Sequence, residues 1–408
     1  MQNPFAAIGA PAARDLWLAG LGVNIVRWLE ILAFALLALQ LTGRPFWVAA
    51  MTMARMAPLL AGALMTALVA RWPKRSVLIA TFTLLTLIAL TLCLVAATGS
   101  LQLWHLLAAA LLSGFAWTLE TPTRRTALAE AAGLERVQAS MGLEVVSNQS
   151  TRILGPALGG LMLDTTGVVG VFALGTIVHA LCLWLCWRRP DAAEPTATAN
   201  RPPASIVHSL GEAVRYVRQH RLLMGTIMVT FVFNAWAFPY ISLAPVILET
   251  VQNLGPTAIG LVIAAEATGA LIAAFLIIAN AHPLIFARIY SLGTLLFLCC
   301  TLAFGFSTTT LLATATLFAA GFGMAGFNAM QISLPIAACP PAMRTRVMGL
   351  ITVAIGAAPF GFLHAGLMAE WLGAATAQKV IAAEGLLALA LVLRLWPELL
   401  RKKAPKPL

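Results

Sequence analysis

Apolar runs long enough to cross a bilayer recur along the whole chain, near 16–41, 46–70, 76–98, 101–119, 138–163, 168–187, 222–248, 256–279, 284–306, 308–334, 346–368 and 374–396. A hydrocarbon core takes roughly 20 helical residues to cross, so twelve such runs account for about 240 of the 408 residues. Only 10% of the chain is charged, against about a quarter in a soluble domain. That leaves too little polar surface to clothe a globule in water. A porin-type barrel would alternate apolar and polar residues instead of running apolar for a full span. The pattern therefore predicts an all-α polytopic membrane protein and argues against a disulfide scaffold or a disordered chain.

The net charge of +11 raises the question of a nucleic-acid partner, and the positions of the charges answer it. With a cytoplasmic N-terminus, the inner segments hold 21 lysines and arginines and the outer segments only Arg44 and Lys379. Arg27, Arg55 and Arg152 fall within helices. One missed span would invert every later loop, so this asymmetry favours twelve transmembrane helices with both termini cytoplasmic. The basic excess is a matter of topology, and no nucleic-acid partner is expected. No basic n-region precedes Leu16, and the stretch that follows is long enough to span, so no cleavable signal peptide is expected.

The longest inner loop divides the chain into residues 1–187, a first six-helix bundle, and 222–396, a second. Between them, 188–221 is a central cytoplasmic loop, and 397–408 is a basic cytoplasmic tail. Within the loop Ile206, Leu210, Val214 and Val217 recur at helical spacing among Arg215, Arg218 and Arg221. Such a helix is expected to lie on the anionic lipids of the inner leaflet, with a partner-binding role as the other reading. Of six cysteines, five lie inside apolar runs. Cys182 and Cys186 share a helix face without a histidine or carboxylate neighbour, which suits small core residues better than a metal site. No Walker loop, zinc-ligand cluster, nucleophile elbow or dinucleotide turn is present, so neither an enzyme nor a cofactor is expected.

Six plus six helices around a central loop resembles the major facilitator superfamily. The resemblance is specific at Pro122–Leu128 and at Arg152–Gly160 in the first half, and at Arg344–Gly349 and Pro359–Gly361 in the second. There the chain is similar to the enterobactin-exporter-like branch. The superfamily's antiporter motif in helix 5, G-x8-G-x3-GP-x2-GG, is matched by Gly142, Gly155, Pro156, Gly159 and Gly160, with Thr151 in place of the second glycine. The match implies export by antiport; ordinary small-residue packing is the alternative. The loop after helix 2 departs from the family's pattern. Arg71, Lys74 and Arg75 keep its basic part, whereas Ala70 stands where the family has an aspartate. The resemblance thus implies a weakened cytoplasmic lock and a resting preference for the inward-open state.

Charges inside the membrane are costly and need a partner or a wet cavity. At about 1.5 Å per residue, Glu30, Arg55, Arg152 and Glu266 each lie roughly 15 Å from the outer ends of their helices, near the midplane. Asn24, Arg27 and Glu30 share one broad face of helix 1, which lines the central cavity in the fold this chain resembles. Glu30–Arg55 is expected as a pair between consecutive antiparallel helices, either as a structural bridge or in proton coupling. Arg152 and Glu266 are expected to pair across helices 5 and 8. Glu120 and Glu144 sit closer to the cytoplasmic ends, where water or Arg124, Arg125 and Arg136 satisfy them. A gate network including Arg71, Lys74, Arg75, Glu120, Arg124 and Arg125 and plain helix-end electrostatics are the two readings there. Phe231, Asn234, Trp236 and Phe238 cluster in helix 7 as a candidate substrate wall, with packing against neighbouring helices as the alternative. His179 and His364 suggest no role.

The expected function is secondary transport across a bacterial-type inner membrane by alternating access. The closest reading is proton-coupled export of a small amphiphilic molecule, of drug or siderophore type, by a monomer. Uptake of a siderophore-like metabolite, and a lipid scramblase or sensor on the same fold, are the alternatives.

Overall fold

The computed structural model describes residues 8–188, 206–280 and 282–401, and every regular element among them is helical. Arg189, Arg201, Lys402, Lys403 and Lys406, counted above among the inner charges, lie outside the described residues. The chain divides into two compact units, one from residues 8–188 with Leu254–Ala264, the other from residues 206–253 with 265–401.

The first unit contains α1 (Pro11–Thr42), α2 (Pro45–Met56), α3 (Gly62–Val69), α4 (Lys74–Ala97), α5 (Leu103–Ala132), α6 (Val137–Thr165) and α7 (Gly167–Trp187). Following it are α8 (Ile206–Gln219), α9 (Arg221–Val232), α10 (Tyr240–Thr250) and α11 (Pro256–Asn280). The chain continues with α12 (Phe286–Phe304), α13 (Thr310–Ala338), α14 (Pro341–Ile355), α15 (Ala358–Leu372) and α16 (Ala374–Leu395).

Ten helical stretches among the described residues are long and apolar enough to cross a membrane. The other two expected runs are helical too, and each misses that measure for a physical reason. Around 46–70 the helix breaks into a 3₁₀ turn at Ala57–Ala61, because Pro58 has no N–H to continue the ladder. The second, α6, is unbroken for 29 residues but carries Glu144, Arg152 and the polar run 147–151.

The first unit's core joins Leu16 and Val23 of α1 to Phe82 and Leu85 of α4 and to Cys182 and Cys186 of α7. The two thiols are therefore core atoms. Cys339, between α13 and α14, is also buried, and burial pushes its thiol up to about 11, opposed by Arg344. On the other side of α1, Gly155 of α6 sits where a Cβ would be 2.4 Å from the Trp28 side chain. Gly160 meets the start of α11 just as closely: a Cβ there would lie 2.1 Å from the Pro256 carbonyl oxygen. In the same contact, a Cβ on Gly260 would lie 2.2 Å from the Pro156 carbonyl oxygen. Asp164 holds this contact in register by accepting the Thr257 backbone N–H at 2.8 Å and the Thr257 hydroxyl. A carboxylate so placed caps the helix and complements its dipole.

In the second unit α8 does not rest its whole apolar face on lipid. Ala213 and Val217 are buried, Val217 in a cluster with Leu223, Ile227, Cys339, Val347 and Ile351. Glu212 pairs with Arg346 of α14 at 2.7 Å. Amphipathic spacing alone does not distinguish a lipid surface from a groove on the same chain, and at Val217 protein supplies the cover. Val214 stays exposed.

The motif glycines separate by their surroundings. Gly142 has nothing within 4 Å of a would-be Cβ, whereas Gly160 faces backbone. Gly160→Val should lower the melting temperature of the purified protein, at a cost of about 1–3 kcal/mol for overpacking. Gly142→Ala should leave it unchanged or raise it slightly, since alanine is the better helix former.

Candidate functional site

The interior of the first unit holds a ladder of buried charges. Asn24, Arg27 and Glu30 follow one another at three-residue intervals on α1, and all three are buried. Opposite them α2 brings Arg55, α5 brings Glu120 and Arg124, α6 brings Glu144, and α7 brings His179.

Arg124 is the hub. Its guanidinium grips Glu144 through two bonds, Nη1–Oε2 at 2.9 Å and Nη2–Oε1 at 2.7 Å, while Nε donates to Glu120 Oε1 at 2.5 Å. Gly20 of α1 makes room for it: a Cβ there would lie 2.1 Å from Arg124 Nη1. Glu120 is shared with Arg27, whose Nη2 lies 3.3 Å from both Glu120 Oε2 and Thr121 Oγ1. Arg27 also sits 4.4 Å over the Trp117 ring. The expected Glu30–Arg55 pair is present, Nη2 to Oε2 at 2.7 Å. Three buried arginines thus face three buried glutamates, and the ladder is neutral. Arg125, 41% exposed, adds a looser contact to Glu144 at 3.5 Å.

Glu120 and Glu144 are thus met by Arg124 and Arg125, two of the partners expected, but in a buried setting. Glu120 and Arg124 have 0% exposure, so their charges are satisfied by one another and not by water. Of the expected gate set, Arg125 joins them through Glu144, and Lys74 and Arg75 make contacts elsewhere. Lys74 pairs with Glu130 on the surface at 3.0 Å. Arg75 donates to the backbone carbonyls of Cys186 and Trp187 at the end of α7. Arg71 is exposed. A second tie at this end, Arg188 to Asp15 at 2.5 and 3.1 Å, was not foreseen.

Between the rungs lies a closed cavity of about 10 Å³, enough for one water, lined by Arg27, Glu30, Arg55, Ser113, Glu120 and His179 among others. Satisfaction of polar groups is uneven around it. Glu120 and Glu144 each accept several bonds, but Glu30 accepts one. Near Glu30, Arg55 Nε and Nη1 and His179 Nδ1 are buried and without a protein partner, as is Asn24 Oδ1 about two turns away on α1. His179 belongs to this site, contrary to the reading that gave it no role.

Arg152 lies on α6 with its guanidinium 5.2 Å over the Trp28 ring, and Glu266 is buried on α11, where the Gly321 backbone of α13 packs on its carbonyl. Of the motif residues, Thr151 is buried and bonds back to the Asn148 carbonyl at 2.8 Å.

The helix-7 aromatics occupy a π-helical turn, Phe233–Ala237, in which Phe238 N–H reaches back to the Phe233 carbonyl at 2.8 Å. Pro239 cannot bond the Ala235 carbonyl, and α15 closes on that oxygen through Gly361, whose Cβ would lie 2.4 Å away. Phe231, Asn234, Trp236 and Phe238 do not form one surface. Asn234 turns inward to the Thr230 carbonyl, Phe238 meets Phe362, and Phe231 and Trp236 remain partly exposed, edge to face at 6.0 Å. Phe233 instead stacks on Phe327 at 3.6 Å, deep in the unit.

A family model described as a transmembrane secretion effector of the major facilitator type matches residues 2–404. The chain belongs to that family. It is a multi-pass membrane transporter with a small-molecule substrate, and it is not an enzyme. An uncharacterized major facilitator transporter of Bacillus subtilis (strain 168), YfiS, is 24% identical over 359 residues, covering 86% of this chain and 85% of the relative. Among solved structures, a peptide-transporter (POT) family member in complex with 5-aminolevulinic acid superposes with a TM-score of 0.77 at 11% identity, over 95% of this chain and 96% of that one. The nucleoside transporter NupG gives 0.72 at 13%, over 94% and 98%. A bacterial homologue of the human lysosomal transporter Spinster, inward-facing, gives 0.67 at 16%, over 98% and 96%. At these identities the likeness is one of fold.

The hub and the rim of the ladder should differ sharply on mutation. Arg124→Met leaves Glu120 and Glu144 short of their main partner and should cost about 3–5 kcal/mol, read as a large fall in melting temperature. Arg125→Met, removing a half-exposed contact, should cost about 1 kcal/mol or less.

Proposed function

We propose that the protein is a proton-driven exporter of a small amphiphilic molecule, working by alternating access as a monomer in a bacterial-type inner membrane. In this reading twelve helices span the bilayer and both ends are cytoplasmic. The family's description as secretion effectors supports the outward direction, as does the antiporter-like run at Gly155, Pro156, Gly159 and Gly160. A place in the enterobactin-exporter-like branch would make the cargo siderophore-like.

One observation carries the coupling: within a neutral ladder, Glu30 is the carboxylate held by a single bond. Protonating Glu144 or Glu120 would break several charge-assisted bonds at once, whereas protonating Glu30 breaks one. Losing that bond frees Arg55, whose Nε and Nη1 already lack protein partners. A buried arginine without a counter-charge is unstable where it stands, so it must find an anion or a rearranged helix packing. Proton arrival at Glu30 is thereby converted into a force on α2, a helix already weakened at Pro58. The cavity beside Glu30 gives the proton a place to enter, and His179 is the adjacent group able to pass it on.

Proteoliposomes with an imposed pH gradient test the reading against a panel of amphiphilic compounds. The wild type should accumulate its substrate uphill. Glu30→Gln should abolish gradient-driven accumulation and leave substrate exchange down its own gradient intact. Uphill transport at the wild-type rate in Glu30→Gln would assign Glu30 to structure alone. Equal movement of lipids in both directions without a gradient would replace transport with scrambling.

A further inference from the structure

The second unit contains a carboxylate treated very differently from those of the first. Glu384 is the eleventh residue of the 22-residue helix α16, about 15 Å from the Ala374 end and so near mid-span. Its Oε2 accepts two hydrogen bonds, from Trp236 Nε1–H at 3.0 Å and from His364 Nε2 at 2.8 Å. The arrangement is built by three elements. Trp236 comes from the π-helical turn, His364 lies three residues beyond the Gly361 contact with that turn, and Gly385 lets α16 approach the Trp236 Cβ, which a Cβ of its own would meet at 2.8 Å.

Both bonds fall on one oxygen, and Oε1 takes part in neither. The Glu384 side chain is 39% exposed. Among the described residues no lysine or arginine pairs with it, whereas each glutamate of the charge ladder has an arginine. The carboxylate's partners are a histidine and an indole at mid-span, where a charge without a fixed cationic partner is costly and marks a functional site. Its border is aromatic: Trp236 keeps exposed ring surface, and Phe231, 42% exposed, stands edge to face with it.

We propose that Glu384, oriented by His364 and Trp236, is the binding site for the charged group of a monovalent lipophilic organic cation. The carboxylate supplies the counter-charge at Oε1, and the two rings offer the faces that attract a weakly hydrated cation. His364 and Trp236 are positioning residues: both of their hydrogens fall on Oε2 and turn the other oxygen outward. The proposal names the substrate class of the transport reading and rests on it for the site's purpose. It does not depend on which residue carries the proton.

Equilibrium binding of radiolabelled tetraphenylphosphonium to the purified full-length protein in nanodiscs, with no gradient imposed, tests the site apart from coupling at Glu30. The wild type should bind saturably, and triphenylphosphine oxide, neutral and similar in shape, should not compete. Glu384→Gln keeps an acceptor for Trp236 and should weaken binding by about tenfold or more. Glu384→Asp keeps the charge and should stay within a few-fold of wild type, as should Glu249→Gln, elsewhere in the unit. Equal melting temperatures of wild type and Glu384→Gln would show that the loss is not unfolding. No saturable binding by the wild type, or undiminished binding by Glu384→Gln, would overturn the proposal.

Discussion

A charge can stay inside a membrane helix bundle only if another charge comes to meet it, and the first unit is organised around that requirement. Arg124 takes two carboxylates, Glu120 and Glu144, and through Glu120 it reaches Arg27 on α1. Three helices, α1, α5 and α6, are thereby cross-linked. The small residues follow from this. Gly20 is where it is because the Arg124 guanidinium occupies the space a side chain would fill, and Gly155 lets α6 come close enough to α1 to bring Glu144 within reach. Well-packed hydrocarbon in place of buried ion pairs is often as stable or more so. Its retention suits a protein that has to rearrange.

Uneven satisfaction gives the ladder a direction. At the Arg124 end every carboxylate is held several times over, and the structure there is rigid. Toward Glu30 the bonds thin out, polar atoms of Arg55 and His179 lack partners, and the small cavity lies between the rungs. Unmet hydrogen-bonding groups cost free energy in this state, which narrows the gap to another one. The second unit spends its polar groups otherwise. Pro239 releases the Ala235 carbonyl, the helix widens into a π turn, and Trp236 is carried to Glu384 and His364.

Much of this was legible in the residues. Run length and charge scarcity dictate a helical membrane protein, and among the described residues ten of the expected runs are helices long and apolar enough to span. Glu30 and Arg55 could be paired from depth alone, because consecutive antiparallel helices of known rise leave little freedom. What depth could not reveal is which way a side chain turns. Glu120 and Glu144 lie close enough to helix ends to pass for solvated, and only the packing of α1 against α5 and α6 shows that they are sealed. Glu384 is visible in the sequence as an acid mid-way along an apolar helix, but its partners come from α15 and the π-helical turn, which spacing does not bring together. His364 and His179 gain meaning only from what faces them. The α8 stripe is ambiguous for a different reason: amphipathicity specifies an apolar partner without saying whether lipid or protein provides it, and Val217 is buried while Val214 is exposed.

The central claim is that one carboxylate of the buried ladder exchanges its proton during the working cycle and the other two do not. Infrared difference spectroscopy on the purified protein across an acid–neutral pH step reads this directly, through the carbonyl stretch of a protonated carboxyl group. The account predicts one such band from the membrane interior in the wild type, absent from Glu30→Gln and unchanged in Glu144→Gln. A band that survives in Glu30→Gln, or vanishes in Glu144→Gln, would contradict it.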